Sequence, residues 1–293
     1  MKNLVIPLFL VFSTFGIVSA QENFSENPLD AEFVTDDYNN FWKMFDKMDS
    51  FTGNPFNEYL KNASIGLKPF VDYLNPDSLY QTVLRRKDDY IKSRHVLNGL
   101  STEKKKAQSV YAAMKYWYPK AKFPPVYFVV GMFTSGGTAS ENGLVIGSEM
   151  LENLEGLNGL IAHELIHYHQ NILGENSLLK QAVVEGSADF IGELISGEHI
   201  NIVQFEYGNK NEKQLCKEFV NVMLKEDYTD WLYGTSGKDD RPNDLGYWIG
   251  YKISEAYFNK HMDKKQAIDD ILNIKDPLKF AIESGFLDQY IKN

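Results

Sequence analysis

The sequence predicts an α+β fold, mostly helical with a small antiparallel sheet, and three observations carry that prediction. Apolar residues recur at helical spacing from about Thr35 to Tyr118 and again beyond Asn158. Between them, from Pro124 to Gly147, the period shortens to that of strands. The composition is that of a folded chain, with 43% hydrophobic and 24% charged residues among 293. Helices, then a sheet, then helices again is the element order of the α+β class.

The first twenty residues stand apart. Lys2 gives a short positive start, Leu4 to Val18 an apolar stretch, and Val18-Ser19-Ala20 a small-residue cleavage pattern. Residues 1–20 are therefore expected to be a signal peptide, with Gln21 as the mature N-terminus and a periplasmic or secreted destination. No later segment approaches the roughly 20 apolar residues of a spanning helix, so no integral membrane span is expected after signal removal. The only cysteine, Cys216, cannot form an intrachain disulfide and is expected to be a buried small hydrophobe.

Residues 21–293 are expected to form a single domain, since no internal repeat or Pro/Gly/Ser-rich linker divides them. A helical N-terminal layer spans about 35–120: Phe41, Trp42, Phe45 and Met48 recur behind Thr35-Asp36, and Asn54-Pro55 and Pro76-Asp77 mark later starts. A further helix follows Ser101 and stops at Tyr118-Pro119. The sheet, about 124–147, combines the β-branched and aromatic run Val126 to Val130, a short extended piece after Gly136-Gly137, and Leu144-Val145-Ile146 after Asn142-Gly143. Two helices over about 158–196 follow, one from Gly159 to Leu173 closed by Gly174, the other from Leu178 to Ser196 closed by Gly197. C-terminal helices occupy about 244–290, the last opening at Pro277 and closing at Gly285.

Charge narrows the partners. Thirty Lys+Arg against forty Asp+Glu leave a net charge of -10, which excludes a dominant basic surface and argues against nucleic acid. Lys104-Lys105-Lys106 reads as a solvated helix face.

The chemistry lies in His163-Glu164-Leu165-Ile166-His167, an HExxH pattern that random placement in this composition would produce roughly 0.008 times. Residues four apart stand one turn above each other on a helix, so both imidazoles can reach one tetrahedral zinc ion. Glu164 then sits beside the metal, where a general base must be to take a proton from water. A metzincin would need Gly and His where this chain has Gln170 and Leu173, so that class is excluded. For the third ligand, Glu175, Glu185, Glu193 and His199 all lie downstream. Glu185-Gly-Ser-Ala-Asp189 has the best context: two carboxylates one turn apart, with Gly186 and Ala188 small enough for close helix approach. Glu185 can ligate while Asp189 accepts a histidine ring N–H. His169 lies about 200° around the helix from His167 and points away from the metal.

These residues carry a resemblance. His163-Glu164-x-x-His167 with Glu185 and Asp189 resembles the gluzincin metallopeptidases, the clan of thermolysin and the membrane alanyl aminopeptidases. More narrowly, His163 to Gln170, Glu185 to Phe190 and Arg241 to Tyr251 resemble a family of predicted zinc-dependent proteases of unknown substrate, related to the gliding-motility lipoprotein B group of Bacteroidetes-type bacteria. The resemblance implies a zincin-like core, one zinc ion per chain, His163, His167 and Glu185 as ligands, and Glu164 as catalytic base. It implies a short edge strand that pairs with the substrate backbone, for which Gly137-Thr138-Ala139 stands in the right order. An oxyanion donor is also needed; Tyr251 is the first candidate, Tyr247 the second and Arg241 the third.

The expected function is thus a zinc metallopeptidase acting on a peptide or protein substrate. The alternative is a zinc-binding component of a cell-envelope or motility-related assembly in which catalysis is lost or minor. Helix-rich composition suits a monomer or a dimer equally.

Overall fold

The computed structural model describes residues 24–234 and 241–291, so the signal segment expected over 1–20 lies outside the described residues. The described residues form thirteen α-helices and one four-stranded sheet. The N-terminal layer contains α1 (Asp36–Phe45), α2 (Phe56–Lys61), α3 (Val71–Leu74), α4 (Pro76–Arg85), α5 (Lys87–Ser93) and α6 (Leu100–Trp117). The punctuation read from sequence is visible in its caps: Asn54 Oδ1 accepts from Phe56 N at 2.9 Å, and Asn75 Oδ1 accepts from Asp77 and Ser78 N ahead of α4. Its inward face is aromatic, with Phe41 against Phe56, Tyr59 and Tyr90 at 5.1 to 5.5 Å between ring centres.

The sheet comprises β1 (Phe33–Val34), β2 (Val126–Val129), β3 (Gly137–Ser140) and β4 (Gly143–Gly147) in the order β1-β2-β4-β3. It is mixed, which corrects the antiparallel expectation. Only β3 and β4 form the hairpin that Asn142-Gly143 signals, with Gly143 at φ 142°. The chain leaves β2, runs outward through residues 130–136, and returns so that β4 inserts between β2 and β3, parallel to β2. β1 then joins the far side of β2, also parallel. Two buried tyrosines fix the end of β2: Tyr59 Oη donates to Val130 O at 3.0 Å and Tyr90 Oη donates to Gly131 O at 2.7 Å. The outward loop is thereby tied to the helical layer.

Beyond the sheet come α7 (Leu157–His169), α8 (Leu178–Ser196), α9 (Ile202–Val222), α10 (Leu245–Lys260), α11 (Lys264–Leu272), α12 (Pro277–Ser284) and α13 (Asp288–Ile291). α7 ends four residues before Leu173, because Gln170 turns to extended backbone and Asn171 and Leu173 bond instead to Leu272 O and Ile274 O. α8 matches its predicted bounds and closes on Gly197 at φ 72°. α9 is a helix that the apolar period of the sequence does not signal. Cys216 lies on it, buried as expected. α8 packs between α7 and α10, and every residue of α7 from Leu157 to Ile166 is buried. Among the described residues no helix is long and apolar enough to cross a membrane.

Candidate metal centre

Close helix packing brings the site together. A Cβ on Gly186 of α8 would lie 2.1 Å from Tyr251 N, and one on Gly250 of α10 would lie 1.6 Å from Ala182 O, so neither position can hold a side chain. Gly186 therefore serves the α8–α10 contact. The small residue facing α7 is Gly192, whose added Cβ would meet His163 N at 3.3 Å. Pressed between its neighbours, α8 presents Glu185 to the two histidines of α7.

His163 Nε2 and His167 Nε2 stand 2.9 Å apart, and Glu185 Oε2 lies 3.5 Å from the first and 3.2 Å from the second. Among the described residues these three side chains form a group that could hold a metal ion. Each ring is oriented from behind. His163 Nδ1 is 2.8 Å from Asp189 Oδ1, and the other carboxylate oxygen accepts from Asn201 Nδ2 at 2.6 Å. His167 Nδ1 is 2.7 Å from Gln170 Oε1. Gln170 Nε2 donates to Val184 O and Ser187 Oγ, so its carbonyl must face the ring. With a carboxylate behind one ring and a carbonyl behind the other, both Nδ1 atoms carry the proton and both Nε2 atoms present lone pairs.

The consequence decides what the site can hold. Two lone pairs and a carboxylate oxygen converge, and Glu185 Oε2 has no hydrogen-bond partner among the described residues. Without a cation, the group is relieved only by taking up protons. Burial works to lower the His163 pKa, yet the bond to Asp189 and the nearby Glu185 carboxylate hold it well above the usual imidazole range. Burial works to raise Glu185, yet His167 and His163 hold it far below the usual carboxylate range. Zinc bonds of 2.0–2.2 Å in a tetrahedron place ligand atoms roughly 3.3 to 3.6 Å apart, close to the 3.2 and 3.5 Å from Glu185 and a few tenths of an ångström beyond the 2.9 Å between the histidines. The donor set fits zinc.

Glu164 lies next to this trio, 1% exposed, with Oε1 lacking a partner among the described residues. Burial pushes its carboxyl up. Gly137, the first residue of β3, rests on it: an added Cβ there would stand 2.6 Å from Glu164 Oε1. β3 is an edge strand with no further strand beyond it among the described residues. The bond from Gly147 N to Gly136 O sets the alternation, so Gly137 and Ala139 turn their main-chain groups to the free edge and Thr138 turns its own toward β4. Ser135 Oγ donates to Gly137 O at 2.7 Å.

The tyrosines part company. Tyr247 lies along His163, ring centres 6.2 Å apart and nearly parallel, and its buried hydroxyl has no partner among the described residues. Tyr251, one turn on, packs against Phe190 and Phe205 and bonds to Glu193, so it is not brought to the trio. Arg241 donates to Glu218 Oε2 at 2.8 Å and stacks over Trp231. Of the rival ligands, Glu193 bonds His199 Nδ1 at 3.0 Å and Glu175 is exposed. His169 points away, 2.9 Å from Lys122 O. Gln170 and Asn201 join the site without a signal in the sequence: Gln170 excludes a metzincin and ends the segment that carries the family resemblance, but its spacing says nothing of a contact with His167.

A family model described as Predicted Zn-dependent protease (DUF2268) matches residues 129–275, just over half of the chain and a span that includes β3, β4, α7, α8 and α10. No curated protein and no solved structure matches the chain.

Proposed function

The chain belongs to this family of predicted zinc-dependent proteases, and from that premise we propose that it is a gluzincin-type zinc metallopeptidase with a zincin-like fold. His163, His167 and Glu185 would hold one zinc ion. The observation that carries this reading is the meeting of two unprotonated imidazole nitrogens and a carboxylate oxygen, 2.9 to 3.5 Å apart, which a cation reconciles. A single domain over 21–293, export to the periplasm or beyond, and kinship with the gliding-motility lipoprotein B group belong to the same proposal.

Zinc in this position supplies Lewis acidity, polarising a peptide carbonyl and acidifying water toward a pKa of about 7. Glu164 takes the proton from the attacking water and delivers it to the departing amine. Its buried, unpartnered Oε1 and upward-shifted pKa suit a group that must hold that proton between the two transfers. Asp189 and Gln170 keep the ring lone pairs aimed inward. An extended peptide laid on the outer edge of β3 meets the main-chain groups of Gly137 and Ala139, and Gly137 brings that backbone against Glu164. Tyr247, whose ring lies along His163 and whose hydroxyl has no partner among the described residues, is a better oxyanion donor than Tyr251.

The test uses the mature chain from Gln21 to Asn293, purified without chelator or tag metal. Elemental analysis should find about one zinc per chain, and a peptide library should be cleaved. Glu164→Gln should keep the zinc and lose roughly 10²–10⁴ in cleavage rate. Absence of zinc after reconstitution would overturn the reading. Full biological function in Glu164→Gln would favour the alternative, a zinc-binding assembly component.

A further inference from the structure

Across the sheet from Glu164 lies a second hollow that the mechanism does not use. Strand alternation puts Gly137 on the α7 face and Thr138 on the opposite face, beside its partner Val145. There Thr138, Val145 and Val129 meet Leu67, Phe70 and Leu74 of the helical layer around an open cavity of about 60 Å³. At roughly 15 Å³ for each water-sized position, that is room for about four, the bulk of a Val or Leu side chain.

We propose that this cavity is a specificity pocket for an aliphatic side chain of an extended peptide paired with the free edge of β3. The inference rests on the peptidase reading and names the substrate class it implies. The occupant follows from register. Peptide residues opposite Gly137 and Ala139 bond to their outward main-chain groups and point to the α7 face, where Glu164 waits. The residue opposite Thr138, between them, points to the other face, into the cavity. It therefore lies between two residues that face the side of Glu164.

The walls set the chemistry. One carboxyl, Glu149, lies at the cavity; its Oε1 accepts from Phe133 N at 3.2 Å, and burial lifts its pKa to about 7. Burial therefore makes this carboxyl a weak anion at most, and the rest of the wall, from Leu67, Phe70, Leu74, Val129 and Val145, is apolar. That favours Val, Leu, Ile or Met over Lys or Arg.

The experiment measures binding before cleavage, using the mature Glu164→Gln chain and acetylated, amidated octapeptides. Each position is varied through Gly, Val, Leu, Phe, Lys and Glu. At one position Val and Leu should bind roughly tenfold or more tighter than Gly, the effect of taking an aliphatic side chain out of water. Thr138→Trp, which fills the cavity from the strand, should drive that ratio toward one. Tyr73→Ala, which opens the mouth from an exposed position, should improve Phe relative to Leu. No preference at any position, a preference for Lys, or a ratio that neither variant moves would overturn the pocket. Preferential binding with no cleavage by the parent chain would sink the peptidase reading and leave the pocket standing. Cleavage without side-chain preference would do the reverse.

Discussion

Helix α8 carries two clusters of the same residue types two turns apart, and only one of them is built for a metal. At Glu185 two imidazoles meet one carboxylate, each ring held from behind by Asp189 or Gln170. At Glu193 a single imidazole, His199, spends its Nδ1 on the carboxylate itself at 3.0 Å, and its buried Nε2 has no partner among the described residues. Its ring packs edge-on against Phe205 at 4.0 Å. In the first cluster the protonated nitrogens face outward to fixed acceptors and the lone pairs converge. In the second the proton lies between the two residues. Histidine and glutamate in proximity are thus insufficient; the acceptors behind the rings decide which atoms are left for a cation.

The largest expected effect breaks that comparison most directly. Glu185→Ala should lower zinc occupancy from about one per chain to near zero, an affinity loss beyond the 10–100-fold typical of residues behind the ligands. Glu193→Ala should leave occupancy unchanged. Equal loss from both, measured by elemental analysis after dialysis, would show that the second cluster is part of the site.

A third carboxylate sharpens the contrast. Glu149 is as buried as Glu185 but has no imidazole beside it, and burial raises its pKa to about 7 where Glu185 is pulled down. From the unfolded value of roughly 4.3 up to about 7, the folded chain holds a proton that the unfolded chain releases. Stability should therefore fall as pH rises through that window, by about 4 kcal/mol at most for this group. Glu149→Gln, which keeps an acceptor for Phe133 N, should lose that slope. Denaturant unfolding of both chains at pH 4.5 and pH 8 checks it; parallel profiles would show that Glu149 is already ionised when folded.

Much of this contrast was legible in the chain. The four-residue spacing of His163 and His167 fixes their common face, and the periodicity around Glu185 gives α8 its bounds. Tyr247 and Tyr251 share a face by the same rule, but one turn of rise, about 5.4 Å, sends the first to His163 and the second to Glu193. Spacing along one helix does not say which turn of its neighbour it will meet. β1, two residues long, carries no period, and the insertion of β4 between β2 and β3 depends on where the 130–136 loop is tied by Tyr59 and Tyr90. α9 carries no clear apolar period, because it is largely polar and breaks at Asn211.

Gln170 is the least legible residue of the site, and it supplies the smallest expected effect. Its importance depends on α7 ending at His169, which lets the side chain fold back between His167 and α8. Replacing it with leucine removes the acceptor behind His167 without touching a ligand. Zinc affinity should weaken 10–100-fold, about 1.4 to 2.8 kcal/mol, and the lost zinc should return at higher concentration. Gln170→Glu retains an acceptor at the same reach and should recover part of the affinity, although Val184 O and Ser187 Oγ then lose their donor. A chelator competition series across the parent, Gln170→Leu and Gln170→Glu separates the two roles. If leucine and glutamate weaken zinc equally, the bond to His167 is not what counts, and Gln170 acts by pinning α7 to α8. If only leucine does, orientation of the imidazole from behind is the property that distinguishes this cluster from the one at Glu193.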